Sequence, residues 1–86
     1  MFAVVVRVTI RDREAAGRGL IEEAVPRVSK ARGFVAGYWL SMPDGKGLSV
    51  MVFDSQDAAR TMAEGIPTPE SVTFESIEVA EVVASA

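Results

Sequence analysis

The chain of 86 residues contains neither cysteine nor histidine, and asparagine is absent as well. Without cysteine, the chain has no disulfide, no thiolate nucleophile and no sulfur-ligated metal site. Without histidine, zinc sites, histidine-ligated heme and Ser-His-Asp catalysis are unavailable to it. Carboxylates could still bind magnesium or calcium, but the sequence has no acidic calcium-binding loop. We therefore predict neither a metal nor a cofactor.

The length of the chain fits one domain, and we expect a single domain over residues 1–86. Hydrophobic residues make up 49% of the sequence, which excludes intrinsic disorder. A chain this short buries only about 60–65% of its unfolded surface, so a monomer would be marginally stable.

The net charge of −3 is distributed unevenly along the chain. Residues 1–43 carry seven basic and four acidic side chains, whereas residues 44–86 carry two basic and eight acidic ones. Nucleic-acid binders usually have a clustered basic face, so the acidic total predicts no nucleic-acid partner. We expect the two halves to neutralise each other within the fold or between subunits.

Hydrophobic runs are short. The apolar run near the N-terminus extends from Phe2 to Val6, far below the ~18 residues that cross a membrane. Met1 is followed at once by this run, without the basic and apolar regions of a signal peptide. We therefore expect no membrane partner and a cytoplasmic location.

Residue spacing predicts four strands and two helices. Asp12 and Ser55 are suitable helix N-caps, and Pro26 predicts a kink or break because it lacks a backbone N–H. The last strand is unusually long, and its apolar residues change face near Glu75 or Ser76, which predicts a β-bulge there. The predicted elements are strands over residues 2–10, 34–42, 48–53 and 72–83, and helices over residues 12–32 and 55–66.

The order β-α-β-β-α-β predicts an α+β, ferredoxin-like fold, with an antiparallel four-stranded sheet and two helices on one face. In the central hairpin we expect Met42 to pair with Leu48. This register places Tyr38 and Leu40 on one face, and we expect that face to pack against the helices. Trp39 then lies on the opposite, open face.

The open face is predicted to carry a large apolar patch, which soluble monomers rarely expose. A second copy of the chain would cover it, sheet against sheet, around a twofold axis. The long last strand could cross to the partner's sheet edge. The residues that we expect in this patch are Val5, Val35, Trp39, Met51 and Phe53.

Three stretches resemble the dimeric α+β barrel superfamily, specifically the antibiotic-biosynthesis-monooxygenase-like group of small bacterial proteins. They are GFVAGYWL at 33–40, GLSVMVFDS at 47–55 and VTFESIEV at 72–79. The resemblance implies a barrel built by two subunits around a cavity. Some members oxidise polycyclic aromatic molecules without a metal or organic cofactor, others degrade heme with an Asn, Trp and His set, and others are stress-response proteins. This chain retains Trp39 but lacks Asn and His, so heme degradation has no residue basis.

Six residues are candidates for a ligand pocket in this cavity: Arg7, Trp39, Ser41, Ser49, Met51 and Phe53. Arg7 could bind a phenolate, enolate or carboxylate, or instead form a salt bridge with Glu75 or Glu78. Trp39 could stack on an aromatic ligand, or only pack in an interface. Ser41 and Ser49 could bind a carbonyl group, or pair across the strands. No residue is assigned as catalytic.

Two functions from different classes remain open. The first is a cofactor-independent, monooxygenase-like enzyme acting on a small aromatic or polyketide-like molecule, which needs a shielded apolar pocket and donors for an oxyanion. The second is a non-catalytic homodimer, either a ligand-binding or a stress-associated protein. The shortage of acid–base side chains favours the second. A fold by itself does not decide between them.

Overall fold

The computed structural model describes residues 1–67 and 69–86. Four strands and two helices follow the order β-α-β-β-α-β that the sequence predicts. The first helix is continuous but changes type along its length. The elements are β1 (Phe2–Ile10), α1 (Arg13–Gly19), a π-helical segment (Leu20–Ala24), α2 (Val25–Ser29), β2 (Phe34–Met42), β3 (Lys46–Phe53), α3 (Gln56–Glu64) and β4 (Val72–Glu81). We call α1, the π segment and α2 together the first helix, and α3 the second helix.

The sheet has the strand order β2-β3-β1-β4, and each neighbouring pair is antiparallel. α3 packs against β1, β3 and β4, while α2 packs against β2. The predicted ferredoxin-like α+β fold is confirmed. The predicted bulge is present as well, because Arg7 lies opposite Ser76 whereas Val8 lies opposite Phe74, leaving Glu75 as the extra residue.

The β2–β3 hairpin has a tighter turn than the sequence analysis predicted. Asp44 and Gly45 both adopt positive φ angles, 62° and 70°, which suits a short hairpin turn. β3 therefore begins at Lys46, and Leu40 rather than Met42 lies opposite Leu48. The predicted register was wrong by two residues, a shift that leaves each side chain on its expected strand face.

The assignment of the hairpin faces was wrong, because the core lies on the other side of β3. Val4 pairs with Met51 across the β1–β3 ladder. Both side chains are buried, and they belong to one core cluster with Val28 of α2 and Ala59 of α3. The face that carries Met51 therefore packs against the helices. This corrects the predicted position of Trp39, Met51 and Phe53, which lie on the face of the sheet that packs against the helices.

Val5 is on the open face as expected, since it pairs with Val50 and belongs to the other set of alternating residues in β1. Val35 lies at a register shift between β2 and β3 and is exposed. The open face is therefore apolar as predicted, but largely through other residues. Those that replace the mispredicted set are Ala36, Tyr38, Leu40, Leu48, Val50 and Val52.

The first helix accommodates Pro26 through a π turn. The Val25 N–H donates to the Leu20 carbonyl, five residues back. This turn, just before the proline, therefore contains one residue more than an α-helical turn. Pro26 has no N–H to donate in turn, which makes this a low-cost place for the change. The predicted kink is therefore a local change of helix type. The predicted caps are confirmed, with Asp12 accepting from the Ala15 N–H and Ser55 from the Ala58 N–H.

Gly33 joins the first helix to β2 in a position that tolerates no side chain. Its φ angle is +82°, and a Cβ atom would lie 2.6 Å from Asp54 Oδ1 and 2.9 Å from the Ala58 Cβ. The Asp54 N–H also donates to the Gly33 carbonyl at 2.8 Å. The connection is therefore packed tightly against the start of α3.

We predict that Gly33→Ala lowers the free energy of unfolding by about 2–4 kcal/mol, because it adds a positive-φ penalty to a steric overlap. Gly45→Ala is the matched control. Gly45 also has a positive φ, but a Cβ there meets no atom within 4 Å, so a loss of about 1–2 kcal/mol is expected. Urea unfolding measures both. Equal losses in the two variants would contradict the steric part of this account.

Candidate ligand-binding groove

A wide groove separates the two helices above the sheet. Within residues 13–24 no side chain is buried, and α1 and the π segment contact chiefly each other and their continuation in α2. The first helix is thus fixed to the core through Val28 near its C-terminal end. The space that remains has a volume of about 1280 Å³ and is lined by both helices and the sheet. We call it the helix–sheet groove.

The floor of the groove is aromatic and aliphatic with two hydroxyl groups. Trp39, Ser41 and Ser49 line it beside Val6 and Met51. Trp39 lies opposite Ser49 in the β2–β3 ladder. Among the described residues, neither serine hydroxyl has a hydrogen-bonding partner from a side chain. A ligand in the groove would therefore meet an indole and two free hydroxyl groups.

Gly37 creates the space in which the indole of Trp39 lies. A Cβ atom on Gly37 would be 2.8 Å from the Trp39 Cη2 atom and 3.3 Å from the Phe34 ring. The indole therefore extends back along β2 over Gly37, two residues earlier on the same face. This places a flat aromatic surface on the groove floor.

The structure brings together four of the six predicted pocket residues. Trp39, Ser41, Ser49 and Met51 line the helix–sheet groove. Phe53 lies deeper in the core, 1% exposed, with its ring 6.0 Å from the Phe34 ring in an edge-to-face arrangement. Arg7 lies on the open face of the sheet. The six residues therefore do not form one pocket, and the ligand-binding role of the four stays a prediction.

Arg7 adopts the alternative expected of it. Its Nη1 atom lies 3.0 Å from Glu78 Oε1, and both side chains are more than half exposed. An exposed pair of this kind contributes little to stability. The predicted cavity lined jointly by Arg7 and Trp39 is excluded, because the two side chains lie on opposite faces of the sheet.

The open face is apolar over β2 and β3. Tyr38 is 62% exposed and Leu40 46% exposed, and they lie beside Val50 and Leu48 in the β2–β3 ladder. Soluble proteins rarely leave such a surface without a partner. The face becomes charged toward β1 and β4, where the Arg7–Glu78 pair lies.

A second charged group on the open face joins three strands. Lys46 Nζ lies 2.5 Å from Glu75 Oε2 and donates to the Thr9 hydroxyl, which in turn donates to Glu75. The hydrogen bond from Lys46, followed by the one from Thr9, lowers the pKa of Glu75 below its ordinary value of 4.5. Glu75 is the extra residue of the bulge, and its carboxylate contacts Thr9 of β1 and Lys46 of β3.

We predict that Glu75→Gln flattens the acid side of the stability profile. The folded-state pKa is lower than the unfolded one, so the carboxylate stabilises the fold above about pH 4.5 and loses this effect as the pH falls through the folded value. Urea midpoints at several pH values between 7 and 3 measure the difference. Glu64→Gln, which removes an exposed carboxylate of α3, is the control and should keep the wild-type profile. A wild-type profile in Glu75→Gln would contradict this account.

The groove itself was not anticipated from the sequence. Its signals were Gly17 and Gly19, which line the groove and where a Cβ atom would meet nothing within 4 Å. Two glycines on the groove side of a helix leave space that a larger side chain such as leucine would fill. Residues 1–67 and 69–86 contain no cluster of acidic side chains that could hold a metal ion. None of their helices combines the length and apolar character needed to cross a membrane.

Comparison with known proteins gives a likeness of fold. No protein-family model matches the sequence, and no curated protein matches it significantly. Among solved structures, the chain is similar to the heme-degrader MhuD from Mycobacterium tuberculosis, determined with two hemes bound in its active site. The match has a TM-score of 0.58 and 22% identity, and covers 96% of this chain and 98% of MhuD. At this identity the match shows a likeness of fold, in agreement with the predicted ferredoxin-like α+β fold.

Proposed function

We propose that the protein binds a flat, mostly apolar molecule of aromatic or polyketide type in the helix–sheet groove and oxidises it as a cofactor-independent, monooxygenase-like enzyme. The observation that carries this proposal is the groove, whose volume of about 1280 Å³ exceeds the ~300–1,000 Å³ of most ligand sites. Its aromatic and aliphatic floor suits a planar ring system. The likeness of fold to a heme-degrader is consistent with oxidative chemistry on a large planar molecule.

The floor of the groove supplies hydrogen-bond donors rather than bases, since the carboxylates that line the groove, Glu23, Asp54 and Asp57, do not lie on the strands of the floor. Trp39 offers an indole N–H, and Ser41 and Ser49 offer hydroxyl groups, on a floor that is otherwise apolar. Such donors stabilise a phenolate or enolate oxygen, more strongly where water is excluded. An ionised substrate of this kind is electron-rich and can itself reduce oxygen: a ring CH2 group loses both hydrogens and gains one oxygen atom as a carbonyl, and the second oxygen atom leaves as water. The part of the protein would be to bind it, shield it and hold its oxyanion.

The groove does not fit an iron-bound heme. The sequence lacks histidine and cysteine, and the only tyrosine, Tyr38, lies on the opposite face of the sheet. Among the described groove residues, Met51 and Met62 could offer thioether sulfurs, but Met51 is 4% exposed and packed in the core. Proteins use methionine for heme mainly together with histidine. We derive no heme chemistry for this chain.

A second candidate is a non-catalytic, ligand-binding or stress-associated homodimer. The observation that favours it is that, within the described residues, no carboxylate hydrogen-bonds to Ser41 or Ser49. A serine without an adjacent base is not activated as a nucleophile, and the groove has no obvious proton acceptor on its floor. Oxygen consumption in the presence of a bound ligand separates the two candidates.

We further propose that a second copy of the chain covers the open face. Its support is the exposure of Tyr38 and Leu40 beside Val50, together with the small size of the chain. Sheet-to-sheet packing would bury the apolar half of this face and bring the Arg7–Glu78 pair close to the partner. The bacterial origin and cytoplasmic location expected from the sequence stay predictions.

If the protein forms the proposed dimer, we predict that light scattering gives a mass of about twice 9.2 kDa. Leu40→Lys places a charge in the centre of the covered surface and should shift the protein to a monomer. Ile21→Lys is the matched control: Ile21 is an exposed aliphatic residue, 75% accessible, but it lies on the first helix. It should leave the dimer intact. A wild-type mass of one chain would overturn the proposed dimer.

If the groove binds planar aromatic molecules, we predict that polycyclic phenols and quinones quench the fluorescence of Trp39, the only tryptophan of the chain. Gly17→Leu should fill the groove and weaken binding about tenfold or more, a change of about 1.4 kcal/mol or larger. Gly17→Ala, which also removes the glycine but adds one methyl group, should bind nearly as the wild type does. Unchanged affinity in Gly17→Leu would contradict binding in the groove. Oxygen uptake with a bound phenol supports the enzyme, and its absence supports the non-catalytic binder.

A further inference from the structure

We infer that the helix–sheet groove selects ligands that carry an anionic group, held by Arg13 of α1 and the Ser41 hydroxyl of β2. The inference rests on the proposed function, since it names the class of ligand that the groove accepts: a planar aromatic carboxylate. Arg13 and Ser41 line both the helix–sheet groove and an adjoining cavity of about 260 Å³ at the β2–β3 turn. They therefore mark the end of the groove where a polar group of the ligand has space.

Arg13 has no salt bridge among the described residues, unlike the other basic side chain of α1. Arg18 pairs with Glu14 at 3.2 Å and does not line the groove. The open-face cations Arg7 and Lys46 are likewise paired with glutamates. Arg13 thus combines a place on the groove with an unneutralised guanidinium, which binds a carboxylate through two parallel hydrogen bonds.

The other two arginines of the groove are less available to a ligand. Arg27 lies four residues after Glu23 on the same side of the helix, and both line the groove. Arg32 precedes Gly33, which packs directly against the Asp54 carboxylate. Neither arginine forms a salt bridge among the described residues, but the carboxylates of Glu23 and Asp54 line the groove with them and lower the positive potential there. None of the acidic residues close to Arg13 in the sequence lines the groove, although Asp44 lines the adjoining cavity.

The spacing along β2 sets the size of the ligand. Trp39 and Ser41 are two residues apart on the same face of the strand, which corresponds to about 7 Å. Because the indole itself extends back over Gly37, a ring system stacked on it must span more than this distance to place a carboxylate at Ser41 and Arg13. A tricyclic aromatic acid meets this condition. The groove would bind it in one orientation, with its anionic end away from the acidic start of α3, where Asp54 and Asp57 line the groove.

The test is a titration of Trp39 fluorescence with anthracene-2-carboxylic acid and with its neutral counterpart, anthracene-2-carboxamide. We expect the wild type to bind the acid about tenfold more tightly than the amide, and high salt to reduce this preference. Arg13→Gln should abolish the preference while leaving binding of the amide unchanged. Arg18→Gln, on the same helix but outside the groove, is the control and should keep it. Arg13 is exposed, so equal urea midpoints for Arg13→Gln and wild type should show that the fold is intact.

The outcomes separate this inference from the proposed function. Equal affinity of the wild type for acid and amide would overturn the anion site while supporting the groove as an aromatic site. A preference for the acid that persists in Arg13→Gln would equally overturn the assignment of Arg13. Failure of both probes to quench Trp39 would count against the groove as a binding site and against the anion site together.

Discussion

The pairing of β1 with β3 is the constraint on which the rest of the structure depends. It sets Val4 opposite Met51 and Phe2 opposite Phe53 at the centre of the sheet. Because paired residues share a face, this register carries the hairpin's aromatic side toward the helices along with the valines of β1. Val28 and Ala59 complete the core from the two helices. Slipping β3 by one residue against β1 would turn Met51 and Phe53 to the face opposite Val4 and Phe2.

The groove exists because the first helix is fixed at one end only. Val28 is its buried residue, whereas the segment from 13 to 24 is not buried and includes two glycines on the groove. The π turn before Pro26 lies between the fixed and the unburied parts of the helix. Few buried apolar contacts mean low local stability, which is typical of elements that adjust to a ligand. The proposed binding surface thus lies at the least packed part of the fold.

The two faces of the sheet divide the proposed functions between them. Trp39 and Tyr38 are adjacent in the sequence, yet the first lies on the groove floor and the second on the open face. The proposed ligand binding and the proposed self-association would therefore use different surfaces of the same strand. Arg7 belongs to the open face, and Arg13 at the start of the first helix takes its place as the candidate for binding an anion.

The sequence by itself determined the element order, the two N-caps, the bulge at Glu75 and the exclusion of histidine and cysteine chemistry, because each depends on local residue types and spacing. It also placed Trp39, Ser41, Ser49 and Met51 together on one face of the β2–β3 hairpin. It could not determine which face of the hairpin would meet the helices, since both are apolar and local pattern favours neither. Only the long-range register of β1 against β3 decided this, and with it the position of the groove.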